Sequence, residues 1–120
     1  VMAAPNLATP SSITGKVAVY SCTSTLAAAL SNAAASGKVF KVNTIRATNI
    51  DASTAFSVDV TVFRSSSHTY LANSISIPVN STLLLSTREE YIYLEEGDAI
   101  YAKGNIAGKI DLIISYEEIF

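Results

Sequence analysis

The sequence predicts an all-β fold, an antiparallel β-sandwich of jelly-roll or Ig-like type with about eight strands and an extended N-terminal arm. Three observations predict it. Runs of β-branched and aromatic residues recur roughly every ten residues, with turn-forming residues between them. One run, Phe56 to Val62, alternates apolar and polar residues without a break, the period of a strand with one face in a core. No connection is long enough to hold the helix that a parallel crossover needs, Leu26 to Ser36 aside.

Residues 1–12 read as the arm and 13–120 as a single sandwich domain. Pro5 and Pro10 among Ala, Asn and Ser forbid a central strand or a stable helix in the arm. Lys16 to Cys22 is the first strand, Val17 and Val19 alternating with Ala18 and Tyr20. Leu26 to Ser36 reads two ways. Its alanines, with Thr25 as N-cap and Gly37 beyond the end, favour a helix, whereas the β pattern on both sides and the lack of charge favour a strand from Leu26 to Leu30 and a loop from Asn32 to Ser36. The strand is the expected outcome.

Lys38 to Asn49 is a long strand whose apolar phase changes from Phe40 and Val42 to Ile45 and Ala47, which requires a bulge near Asn43. Asn49 to Ser53 turns the chain into the Phe56 strand, where Ser57, Asp59 and Thr61 form the wet face. Arg64 to His68 reads as a hairpin loop. Thr69 to Ile77 returns with Leu71, Ile75 and Ile77 in one phase, and Pro78 limits it. Asn80-Ser81 turns into a strand from Thr82 to Ser86, and Arg88 to Glu90 is a polar connection. The closing stretch, Tyr91 to Phe120, reads as a three-stranded meander with turns at Glu95-Glu96-Gly97-Asp98 and at Gly104 to Gly108.

The chain has 120 residues, enough for one core, with 15% charged residues and a net charge of −2. Eight Lys and Arg scattered without a cluster argue against a nucleic-acid partner. No apolar run approaches the ~18 residues of a membrane span, and Val1 to Ser12 has no signal-peptide pattern. Cys22 is the only cysteine, so no intrachain disulfide forms; it is expected to be a small buried hydrophobe.

The sequence offers little for chemistry. His68 is the only histidine, and a hairpin tip holds a base poorly. Asp51, Glu95, Glu96 and Asp98 are the conceivable calcium ligands, but they lack the dense spacing of a calcium loop. Glu89-Glu90, Glu95-Glu96 and Glu117-Glu118 are neighbours that would point to opposite faces of a strand, so they cannot flank one glycosidic bond and are expected to be solvated. Six tyrosines without a tryptophan suggest half-buried strand residues more than sugar platforms. No catalytic, cofactor-binding or metal-binding residue is assigned.

Taken whole, residues 2–120 resemble small virion structural proteins of marine tailed bacteriophages. The stretches that carry the resemblance are Asn32 to Asn43, Thr48 to Asp51, Ile77 to Leu83, Ile92 to Asp98 and Ser115 to Ile119. The sequence departs from the family at Asp51-Ala52-Ser53-Thr54, where members often carry Asp-Gly-Thr-Asn, so a different loop is expected there. The resemblance implies a non-enzymatic β-sandwich present in many copies. The leading expectation is a capsid decoration or cement protein, assembled in the host cytoplasm, that binds the major capsid protein and copies of itself; a trimer is the first expectation. The alternatives are a neck, tail or fibre-adaptor protein at the portal vertex and, from another class, a host-glycan binding module.

Overall fold

The computed structural model describes residues 7–120. Among these residues nine strands form two antiparallel sheets: β1 (Ile13–Ser21), β2 (Ala27–Ser31), β3 (Val39–Asn49), β4 (Phe56–Arg64), β5 (Ser67–Ile77), β6 (Thr82–Ser86), β7 (Ile92–Leu94), β8 (Ala99–Gly104) and β9 (Ile110–Ile119). Sheet A runs β1-β9-β3-β6, with β7 beside β6 along the same edge of β3; sheet B runs β2-β8-β4-β5. The expected sandwich is present.

The pairings are nested. β1 pairs β9, β2 pairs β8, β3 pairs β6 and β7, and β4 pairs β5, so the chain is one long antiparallel ribbon rolled up and closed by the β3–β9 and β4–β8 pairs. This is jelly-roll winding rather than the immunoglobulin order. Between the sheets, Val42, Ile45 and Ala47 of β3 and Leu112 and Ile114 of β9 join Val58 and Val60 of β4 and Ile100 and Ala102 of β8 in one buried cluster. Cys22 lies in this cluster, and burial pushes its thiol up to about 11. Two buried asparagines fasten loops to the core. Asn32 Nδ2 donates to the carbonyls of Lys38 and Leu94, and Asn49 Nδ2 to those of Thr54 and Ile77.

Several expectations hold. β2 is a strand followed by a loop, because sheet pairing with β8 overrides the helix propensity of its alanines. β3 bulges at Asn43: Val42 faces Tyr116 and Thr44 faces Ser115, leaving Asn43 as the extra residue.

Four expectations need correction. The closing stretch is not a meander, since β7 and β9 belong to sheet A and β8 to sheet B. The positive φ of Gly97 and Gly108 (86° and 79°) lets the chain arch from one sheet to the other instead of folding back beside itself. Arg64 to His68 is not a loop: Ser65 and Ser66, both at positive φ, make a two-residue turn, and β5 already begins at Ser67. β5 does not keep one apolar phase. Asp59 faces two residues, Asn73 and Ser74, and Leu71 is a second extra residue, so Ala72 and Ile77 are buried while Leu71 and Ile75 are exposed. The wet face of β4 is not wet, as Asp59 and Thr61 are both buried.

At the arm, positions 1–6 lie outside the described residues. Leu7 and Ala8 lie in a turn and Thr9 in a bend, and Ser12 exchanges two backbone hydrogen bonds with Phe120 (2.6 and 2.9 Å), which extends the β1–β9 ladder past both strand ends. Ile119 is buried, whereas Phe120 is exposed with the Lys38 ammonium over its ring.

Candidate interaction surface

The residues with chemical potential are mostly committed to one another. His68 sits on β5, its Nδ1 2.9 Å from the Thr61 hydroxyl, and its ring packs on Phe63 and Tyr101. A hydroxyl beside an imidazole is the start of a nucleophile–base pair. Here the hydroxyl belongs to a residue with 0% exposure, beyond the reach of a substrate. The rings meet at 45° and 78°, so they pack against each other and leave no common flat face of the kind a sugar stacks on.

The acidic residues tell the same story. Asp51 accepts the backbone N–H groups of Ser53 and Thr54 and the Ser53 hydroxyl, and these bonds hold its carboxyl down at about 2; Lys109 lies 3.5 Å away. Asp98 accepts the Arg64 guanidinium and the Glu95 N–H, while Glu96 accepts the N–H of Gly37. Arg64 also pairs with Glu95 at 3.0 Å. The four carboxylates suggested for calcium are therefore capping and pairing groups, and among the described residues no set of three or more His, Cys, Asp or Glu side chains converges as metal ligands would.

Glu118 departs from the solvated role expected of it. It is buried between Lys38 (2.8 Å) and Lys16 (2.9 Å), whose hydrogen bonds hold its carboxyl below the usual range, and Lys16 is raised in turn. It ties the start of β3 and the edge strand β1 to the end of β9. Its neighbour Glu117 accepts from Asn43 at the β3 bulge.

The outward side of β1 and β9 is different. The odd-numbered residues of β1 face away from the core, so Val17 is 62% exposed and Val19 75%, and Ile113, paired with Val19, is 38% exposed. The row continues across sheet A through Arg46 to Leu84, a further exposed apolar residue on β6. A shallow depression of about 320 Å³ over the same strand pair is bordered by Val19, Tyr20, Ser21, Asp111, Leu112 and Ile113. Large apolar side chains grouped on a sheet face mark a surface built to be covered. The sequence held a signal for it: Val17 and Val19 were legible as one face of a strand, but Ala18 and Tyr20, on the other face, are the ones that meet the core.

No family model matches the chain, and neither a curated protein nor a solved structure matches it.

Proposed function

We propose that this chain is a structural protein of a bacteriophage virion, a capsid decoration or cement protein that binds the major capsid protein and reinforces the head without catalysing a reaction. The observation that carries the reading is the exposed apolar row Val17, Val19 and Ile113 on a protein with few charges. The sequence resemblance over residues 2–120 supports it, whereas a jelly roll by itself hosts many functions and decides nothing. Covering such side chains contributes about 1.5–3 kcal/mol for each one fully buried. That is weak for one site, but repeated attachment on a shell multiplies it.

The test is the copy number in purified particles, together with attachment of added protein to stripped heads. Hundreds of copies, and loss of attachment on Ile113→Lys, are the expected results. A few copies per particle would instead favour the neck, tail or fibre-adaptor position at the portal vertex, and absence from the particle would end the virion reading.

A further inference from the structure

The two sheets have four edges, and three of them are closed to further pairing. β5 is bulged twice and carries Ser74 at φ 53°. β2 is five residues long with a register break between Ala28 and Leu30. The edge formed by β6 and β7 is split into pieces of five and three residues by a single turn of 3-10 helix bearing Arg88, Glu89 and Glu90. Short, bulged and charged edges are the devices by which proteins prevent strand addition. β1 has none of these: nine residues pair with β9 in unbroken register, and Lys16 is its only charged residue.

The alternation of hydrogen bonds along β1 is fixed at both ends. Ser12 exchanges its backbone bonds with Phe120, and Cys22 N–H donates to Ile110. In an antiparallel ladder the bonded residues alternate, so Thr14, Lys16, Ala18 and Tyr20 spend their backbone groups on β9. Ile13, Gly15, Val17, Val19 and Ser21 point their N–H and C=O groups at the other edge, which among the described residues no strand pairs.

We infer that β1 is a self-pairing edge: a second copy of this chain adds its own β1, antiparallel, about a two-fold axis through Val17. The register is dictated by the open groups. Centred on Val17, Ile13 meets Ser21 of the second copy, Gly15 meets Val19 and Val17 meets Val17, so every open N–H and C=O finds a partner. Sliding by two residues leaves one residue of each strand unpaired. The side chains agree with this register. Gly15 leaves room for the branched Val19 opposite it, and Lys16 meets Ala18 rather than another lysine, while its own ammonium is held by Glu118. The pairing joins sheet A of both copies into one continuous sheet and places their Val17 and Val19 side chains on one side. It does not depend on the virion reading, since only the isolated chain is needed.

The experiment is sedimentation equilibrium of the intact chain from micromolar to near-millimolar concentration, with amide hydrogen exchange at both extremes. The expected result is a monomer–dimer equilibrium in which the amides of Gly15, Val17 and Val19 gain protection with concentration. Val17→Pro removes an outward N–H without touching the ladder to β9 and should weaken the dimer on the order of a hundredfold. Should that variant misfold, Val17→Lys sets two like charges face to face on the axis and serves the same purpose, while Leu84→Lys on the far edge should leave the dimer intact. A monomer throughout the range, a trimer, a dimer unaffected by either Val17 substitution, or unchanged exchange at the three amides would each overturn the proposal.

Discussion

The two outer faces of the sandwich are built on opposite principles. On sheet B the outward groups satisfy one another: Asp59 accepts the Ser74 N–H and lies 3.7 Å from Lys103, Thr61 bonds His68, and the rings of His68, Phe63 and Tyr101 pack together at an angle. On sheet A, across β1 and β9, exposed Val17, Val19 and Ile113 stand on the outward face beside the polar Ser21, Asp111 and Ser115, and among the described residues no strand pairs the outer edge of β1. A face whose polar groups are already paired offers a newcomer little, because every contact must displace one that exists. A face of exposed valine and isoleucine gains from any dry partner. The contrast locates the surface available for assembly from this chain's own residues.

The contrast can be broken most severely at Asp59. Asp59→Ala strips a buried acceptor from Ser74 and the counter-charge from Lys103, and should cost about 2–3 kcal/mol in urea unfolding. A smaller effect is expected at the rim of sheet A, where Glu118→Gln should cost about 1–2 kcal/mol, discounted because Lys16 and Lys38 are 43% and 36% exposed. The pH dependence follows with a definite sign. The folded carboxyl of Glu118 is held low, so its stabilisation is complete above the unfolded value of about 4.3 and is lost as pH falls through the folded one. Thermal midpoints of the wild type should decline through that window, and those of Glu118→Gln should decline less.

His68→Ala removes a ring from the sheet B cluster and the Thr61 partner, and should cost about 1 kcal/mol. A loss below a few tenths would show that the cluster is ornamental to the fold. The smallest effect on stability is expected on the other face: Ile113→Lys should stay within about 0.5 kcal/mol of wild type. A large loss there would mean that the apolar row supports the monomer and is not a surface held open for a partner.

The strands themselves were legible in the sequence because alternation is a local property. The β3 bulge was legible for the same reason, since the apolar phase visibly jumps between Val42 and Ile45. The bulges of β5 were hidden because no glycine marks them: Ser74 adopts a positive φ held by Asp59, fifteen residues earlier. Ser65 and Ser66 concealed the tight turn in the same manner, and so His68 was misplaced to a loop tip. The meander failed for a deeper reason. Gly97 and Gly108 announce reversals but cannot say which sheet receives the next strand, a choice made by Ile100 and Ala102 facing Leu112 and Ile114 across the core. The candidate surface shared that fate, because an edge is defined by the neighbour a strand lacks, and pairing order is not written in any one segment.

The nested pairing also sets a timetable. Among the described residues β1 has no partner in sheet A except β9, and β3 waits for β6, β7 and β9. As the ribosome releases this chain, the first strand stays without its ladder until almost a hundred later residues have emerged. Loop closure over such a distance makes this a slow step. Throughout that interval Val17, Val19 and both sides of β1 are open to any strand nearby, so the nascent chain is exposed to mispairing at the strand from which the finished protein is proposed to assemble.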